Sequence, residues 1–197
     1  MFIIQKHQLR AALNCAAKKD IRYYLQGVLL EVTQSGAMHL VGTDGHVMFC
    51  GVIYEPEWTE TPQAGPWSMI IPADVIAREC KGRGTVELKA MDSRYTLGAS
   101  VFSPLDAKYP DWRRVSIQPD PEPKPGSYNP ALLSAAQAAL MDWFDSKKII
   151  THLHQSGPSI AGVMTAEQES AYCIIMPMKT DPLIMPFKPR AYAQVQS

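Results

Sequence analysis

The chain has 197 residues, of which 46% are hydrophobic and 19% are charged. Nineteen Lys and Arg residues balance nineteen Asp and Glu residues, so there is no net charge to attract DNA or an anionic membrane, and any contact with nucleic acid needs a local basic patch. This composition argues against disorder and suffices for one large domain or two small ones with an apolar core.

The N-terminus and the cysteines indicate the compartment. The apolar start is followed within a few residues by Lys6, which argues against a signal peptide or a membrane-spanning segment, so we expect a cytoplasmic protein. Scattered cysteines without a CxxC pair are expected to be small buried apolar side chains, and we expect no disulfide, metal or cofactor. The four cysteines are Cys15, Cys50, Cys80 and Cys173.

The first 53 residues predict a β-α-β-β-β unit. A strand over residues 2–5 precedes a helix over about residues 7–19, in which apolar residues recur at helical spacing at Leu9, Ala12, Leu13 and Ala16. Further strands are predicted among residues 21–32, 38–42 and 47–53. Asp44-Gly45 between the last two is typical of a tight hairpin turn in which both residues have positive φ.

A second unit of the same kind follows a loop over residues 55–65. We predict a strand over residues 67–71 and then a helix over residues 72–80, with Pro72 in its first turn and Gly82 just beyond its end. Two further strands are predicted over residues 85–90 and 94–100, with an extended segment through 102.

The rest of the chain predicts a linker and a third unit. Prolines alternate with other residues at positions 119, 121, 123 and 125, which is typical of a stiff, extended linker. Asn129-Pro130 then favours a helix start, and the helix is predicted to end near Asp142. Strands are predicted over residues 148–155, 159–166 and 171–178, and the prolines and polar residues after them indicate a tail.

Several segments also carry a family resemblance. RYYLQGVLLE (22–31), VGTDGH (41–46), LDAKYPDWRRV (105–115) and AYCIIMPMK (171–179) resemble, in the same order, segments of the bacterial sliding clamp, the beta subunit of DNA polymerase III. The resemblance implies an α+β clamp fold of repeated β-α-β-β-β units, with antiparallel sheets and helices on one face. Residues 1–116 would be the central clamp domain, 117–126 a Pro-rich linker, 127–180 the final half of the last domain, and 181–197 a tail.

The clamp family binds short peptides of polymerases and clamp loaders in an apolar pocket between two of its domains. A pocket of Leu, Val, Ile and Met side chains suits an extended peptide, with polar groups at its rim. Val47 departs from the family, which commonly has a basic residue there. The resemblance places the following residues in the pocket: Arg22, Tyr24, Leu25, Thr43, Gly45, His46, Val47, Met48, Pro110, Arg114, Val115, Ile174, Ile175, Met176, Pro177 and Met178.

Contact with double-stranded DNA is expected from basic residues on and beside the predicted helices, acting on phosphates without reading sequence. These are Lys6, Arg10, Lys18, Lys19, Arg78, Lys81 and Arg83, whereas the third helix carries no basic residue. Clamp rings contain about twelve such units, so about four copies of this chain would be needed if a symmetric ring closes.

Two functions remain open from the sequence. The first is a DNA replication processivity factor that tethers polymerase through the peptide pocket, as a homo-oligomer. The second is a reduced clamp that does not encircle DNA and regulates or competes for the partners of another clamp. The tail segment Leu183–Phe187 is loosely similar to peptides that clamps bind and is a hypothetical occupant of the pocket.

An enzymatic function is disfavoured. Asp44 and His46 are close in sequence, but a hairpin Asp already has a role in the turn, and no nucleophile accompanies them. His152 and His154 share one face of a predicted strand, as metal ligands can, but no third ligand stands near them in the sequence. We therefore expect a non-catalytic protein.

Overall fold

A computed structural model describes residues 2–59, 65–92, 94–115 and 126–179. The predicted linker, apart from Gly126, and the predicted tail over residues 181–197 lie outside these residues. In chain order the elements are β1 (Phe2–Gln5), α1 (Lys6–Cys15), β2 (Gly27–Val32), β3 (Met38–Thr43), β4 (Val47–Ile53), β5 (Glu57–Trp58), β6 (Trp67–Pro72), α2 (Ala73–Glu79), β7 (Thr85–Met91), β8 (Arg94–Leu97), β9 (Ser100–Phe102), α3 (Pro130–Trp143), β10 (Thr151–His154), β11 (Gly162–Ala166) and β12 (Ala171–Ile175). Short 3₁₀ helices cover Tyr23–Gln26 and Trp112–Val115.

The first two units exchange their first strands. β6 pairs with β2, and β1 pairs with β7, both antiparallel. The result is one sheet in the order β5-β1-β7-β8-β9 and a second in the order β10-β11-β12-β4-β3-β2-β6. Because each unit contributes a strand to the sheet of the other, the first two units form one interlocked body.

The third unit joins this body through a strand junction. β12 pairs antiparallel with β4, from Ala171 opposite Gly51 to Ile175 opposite Val47. Residues 126–129, before α3, form no strand. The seven-stranded sheet is therefore continuous across the predicted linker, and the domain division made from the sequence remains a prediction.

The helices cover one face of the sheets. Leu9, Leu140 and Trp143 pack with the inward residues of the strands in one apolar cluster. α1 lies directly on β3, since a Cβ atom on Gly42 would lie 1.9 Å from the carbonyl oxygen of Ala12. All four cysteines are buried, as predicted. None of the helices within the described ranges is long and apolar enough to span a membrane.

The opposite face of the seven-stranded sheet is covered by irregular chain. Tyr109 and Trp112, from the segment after β9, are buried against sheet residues that include Val41 and Ile174. Tyr109 donates a hydrogen bond from its hydroxyl to the carbonyl oxygen of Val41, at 3.3 Å. We call this the loop face, and the side that bears the helices the helix face.

The first predicted helix is too long. α1 ends at Cys15, because Ala16 is extended and the N–H of Ala17 donates to the carbonyl oxygen of Leu25 at 2.9 Å. Lys18 and Lys19 therefore follow the helix instead of lying on it. Tyr24, expected among strand residues, lies in a 3₁₀ helix.

The predicted geometry of the β3–β4 turn is also wrong. The hairpin forms, but only Gly45 has positive φ, at 91°. The Asp44 carboxylate accepts hydrogen bonds from the N–H groups of His46 and Val47, at 2.7 and 2.9 Å. The Thr43 hydroxyl donates to the carbonyl oxygen of Val47 at 2.7 Å. Side-chain hydrogen bonds therefore stabilise a wider turn than the tight one expected.

Candidate functional site

A cavity of about 180 Å³ opens on the loop face beside the β3–β4 turn. Four separated parts of the chain form it: the first 3₁₀ helix, the turn, the segment that leads into the second 3₁₀ helix, and the end of β12. Its lining consists of Arg22, Tyr24, Leu25, Thr43, Gly45, His46, Val47, Met48, Pro110, Asp111, Trp112, Val115, Ile174 and Met176.

The floor of this cavity is apolar and its mouth is exposed. Leu25, Met48 and Ile174 are buried, whereas Val115 and Met176 are each 49% exposed. Apolar side chains at a cavity mouth gain free energy when a ligand removes them from water. The cavity is therefore suited to an apolar side chain of a partner.

Arg22 forms one edge of the rim. Its guanidinium donates to the Asp20 carboxylate at 2.7 and 3.0 Å and to the carbonyl oxygen of Asp44 at 3.2 Å. The Arg22 hydrogen bonds lower the pKa of Asp20 to about 2. The pair thus keeps both its charges at neutral pH, and Arg22 is held against the turn.

The β3–β4 turn and the end of β12 are fixed to each other. The N–H of Met176 donates to the carbonyl oxygen of His46 at 2.8 Å, which continues the β12–β4 ladder past the last strand residue. The His46 side chain is exposed, with Nδ1 4.0 Å from the Asp44 carboxylate. Backbone pairing therefore sets the position of Met176 at the mouth.

The wall formed by residues 110–115 is anchored by Glu31. Its carboxylate accepts hydrogen bonds from Arg113 at 2.8 and 3.0 Å and from Trp112 Nε1 at 3.1 Å. The Arg113 guanidinium also lies over the Trp112 ring, 4.2 Å from its centre, and the His39 ring centre is 5.2 Å from that of Trp112. Burial opposes ionisation of Glu31, but the hydrogen bonds from Arg113 and Trp112 outweigh it and lower its pKa. Burial lowers the pKa of His39.

Four residues that the resemblance assigned to the pocket lie elsewhere. Ile175 is buried on the helix face. Arg114 extends into solvent and pairs with Asp111 at 3.1 Å. Pro177 and Met178 continue past the cavity, and the N–H of Met178 donates to the carbonyl oxygen of Ser127 at 2.7 Å.

Two lining residues, Asp111 and Trp112, were missed. They lie between Pro110 and Arg114 in the sequence, within the segment 105–115 that resembles the sliding clamps. The resemblance of this segment could therefore have identified them. A second cavity of about 510 Å³, also not predicted, lies on the other side of residues 110–112, between them and the edge strand β6. The two cavities therefore share one wall.

The basic residues proposed for DNA contact fall into two groups. Arg10 pairs with Asp142 at 3.4 Å, Arg78 pairs with Asp74 at 3.1 Å, and Arg83 lies 4.0 Å from Asp145. Within the described ranges, no ion pair is found for the four lysines, which are Lys6, Lys18, Lys19 and Lys81. Acidic residues thus offset part of the positive charge on the helix face.

The two histidines of β10 are exposed. His154 Nε2 lies 3.3 Å from the Thr165 hydroxyl. Among the residues that the structure describes, no group of three or more His, Cys, Asp or Glu side chains could hold a metal ion.

Comparisons with known proteins relate the chain to replication clamps. No protein-family model matches it. It is 31% identical to the beta sliding clamp of Pseudomonas aeruginosa over 122 residues, and these residues make up 58% of this chain and 33% of that protein. It is 32% identical to the beta sliding clamp of Pseudomonas putida over 103 residues, and these residues make up 50% of this chain and 28% of that protein.

Solved structures agree on the fold. A sliding clamp from Caulobacter crescentus aligns with a TM-score of 0.65 at 14% identity, over 91% of this chain and 65% of that one. The Helicobacter pylori beta clamp bound to a DNA ligase peptide aligns with a TM-score of 0.66 at 12% identity, over 90% of this chain and 66% of that one. The chain matches about a third of the length of its curated relatives. It has the α+β sliding-clamp fold, as the sequence predicted.

Proposed function

We propose that this chain, which resembles the bacterial beta sliding clamps in sequence and has their fold, is a non-catalytic DNA replication processivity factor. It would hold a short peptide of a polymerase or clamp loader in the 180 Å³ cavity. It would contact double-stranded DNA through its helix face, as a homo-oligomer. The observation that carries the proposal is the convergence of four separated segments on one apolar cavity.

The cavity has the properties that a short linear peptide requires. Its buried floor accepts an apolar side chain, while backbone groups and Arg22 at the rim are placed to orient an extended chain. The Helicobacter pylori clamp is described with a DNA ligase peptide bound, which supports a peptide as the class of ligand.

The second candidate, a clamp that regulates partners without encircling DNA, is supported by the charges of the helix face. Arg10 pairs with Asp142, and α3 presents no basic residue. Phosphate binding requires cations that are free to replace counterions, so this pairing weakens the DNA contact.

Substitution of Met176 tests the peptide site. We expect Met176→Ala to weaken binding of the labelled DNA ligase peptide about tenfold, since it removes an apolar contact at the mouth. Fluorescence polarisation with the full chain measures this. Met178→Ala is the matched control: Met178 is 48% exposed, against 49% for Met176, but lies outside the cavity. Equal losses for both variants, or no binding by the unmodified chain, would overturn the cavity as the site.

The salt dependence of DNA binding separates the two candidates. A processivity factor should bind duplex DNA with an affinity that falls steeply as salt rises. Replacing Lys18 and Lys19 by Ala should make that dependence shallower, because neither lysine pairs with an acid within the described ranges. Undetectable DNA binding at low salt, with peptide binding intact, would favour the regulator.

A further inference from the structure

The chain leaves the mouth of the 180 Å³ cavity at a fixed position. Met176 lines this mouth, and its N–H donates to the carbonyl oxygen of His46 at 2.8 Å. Two residues later, the N–H of Met178 donates to the carbonyl oxygen of Ser127 at 2.7 Å. These hydrogen bonds hold the segment on both sides of Pro177, so the residues that follow Met178 are tethered beside the cavity.

The residues that follow this tether include a run with long apolar side chains. Residues 180–197 lie outside those that the structure describes. In the sequence, four of the five residues over Leu183–Phe187 are Leu, Ile, Met or Phe, and we call these five residues the apolar run. Asp181-Pro182 precedes the run, and Asp followed by Pro favours a turn that reverses the chain direction.

The chain between the tether and the apolar run is long enough to reach back to the cavity. The step from Met178 to Met176 spans at most about 7 Å, whereas the step from Met178 to Leu183 spans up to about 17 Å. A turn at Asp181-Pro182 therefore brings the run alongside the mouth. So short a link gives an effective concentration on the order of millimolar, so even a contact of low intrinsic affinity is populated.

The cavity has an apolar surface that matches this run. Val115 and Met176 at the mouth are each 49% exposed, above a floor that includes the buried Met48. Contact between the run and the mouth removes apolar surface of both from water. Arg22 at the rim is already paired with Asp20 at 2.7 Å, so the match depends on apolar contact and not on charge.

We propose that the apolar run occupies the cavity of its own chain and competes there with partner peptides. The inference rests on the proposed function, because it names a regulator of the same cavity. It is carried by the position of the tether and by the apolar match. A partner peptide then binds only the fraction of chains in which the run is out of the cavity, so the tail lowers the apparent affinity for every partner.

Charge substitutions in the full chain test this competition. Leu183→Asp with Phe187→Asp places two carboxylates in the run, and burial of a carboxylate in an apolar cavity is unfavourable. This double variant should bind the labelled DNA ligase peptide about threefold to tenfold more tightly than the unmodified chain, measured by fluorescence polarisation. Ala191→Asp with Ala193→Asp is the matched control, because it adds the same charge outside the run. Equal affinities for the double variant and the control would overturn the proposal.

Methionine methyl signals report the tail contact without a partner peptide. In NMR spectra of chains with carbon-13 methionine methyl groups, the signals of Met48 and Met176, which line the cavity, should differ between the double variant and the unmodified chain. The signal of Met91, which lies in the other sheet, should be the same in both. Identical Met48 and Met176 signals would overturn the contact. A difference that disappears on dilution would assign the contact to the tail of another copy and would also overturn the proposal.

The two measurements separate this inference from the proposed function. A difference in the methyl signals, with no binding of the DNA ligase peptide by either chain, would leave the tail contact standing and refute the site for partner peptides. Binding of the DNA ligase peptide with the same affinity by both chains, with identical methyl signals, would do the reverse.

Discussion

The two faces of the seven-stranded sheet are closed in different ways. On the helix face, α1 and α3 approach so closely that glycine is required beneath them: a Cβ on Gly42 would meet the Ala12 backbone, and one on Gly51 would lie 2.5 Å from the Trp143 ring. On the loop face, irregular chain covers the sheet, and both cavities open there.

This difference explains where binding can occur. A helix laid on glycines excludes any ligand, since no space remains between the helix and the backbone of the sheet. The loop-face cover is a short segment held by a few contacts, among them those of Glu31 with Arg113 and Trp112 and that of Tyr109 with Val41. The helix face therefore supplies stability, and the loop face supplies a site whose shape depends on a few contacts.

The largest effect on stability is expected from a substitution on the helix face. Gly42→Ala should lower the free energy of unfolding by about 2–4 kcal/mol, because the Ala12 carbonyl cannot move away without displacing α1. Urea denaturation measures this. Gly36→Ala is the control: Gly36 has φ of 85° but nothing within 4 Å of its Cβ position, so only backbone strain of about 1–2 kcal/mol is expected. An equal loss in both variants would contradict the close contact.

The sequence predicted some of the strands better than it predicted the end of the first helix. β1 and β4 match the predicted ranges, since short apolar runs that contain β-branched residues mark them clearly. The end of α1 could not be predicted, because Ala16 and Ala17 favour helix and the bond that diverts them, to Leu25, is a tertiary contact.

The candidate site on the loop face was predicted from the family resemblance. Its residues come from segments that are far apart in the sequence. Periodicity alone would have assigned Leu25, Met48 and Ile174 to the core. The resemblance could not separate Ile174 from Ile175, which lie on opposite faces of β12 because side chains alternate along a strand. The Glu31 anchor was not predicted, since it joins residues more than eighty positions apart.

A smaller effect on stability, with a distinct effect on binding, is expected at the anchor. Glu31→Gln should lower the free energy of unfolding by less than about 1 kcal/mol, because the pair with Arg113 is partly solvated. It should weaken peptide binding several-fold, since residues 110–115 lose their fixed position. Asp142→Asn is the matched control: it removes an acid that Arg10 and Asn14 contact on the helix face, away from the cavity. Equal peptide affinities for the two variants would contradict the role of the anchor.

The smallest effect on stability is expected from a change of pH, and it arises from titratable groups on the loop face. Burial lowers the pKa of His39 from its ordinary value of 6.5, so the folded chain keeps this side chain neutral. As pH falls below 6.5, the unfolded chain binds a proton that the folded chain does not, and stability decreases until pH passes the lowered value. Glu31, whose pKa is also lowered, contributes stability above its ordinary value of 4.5 that is lost at more acidic pH. His39→Gln should therefore flatten the fall in stability between about pH 7 and pH 5, measured by urea denaturation. Parallel curves for the variant and the unmodified chain would show that burial of His39 does not contribute to this pH dependence.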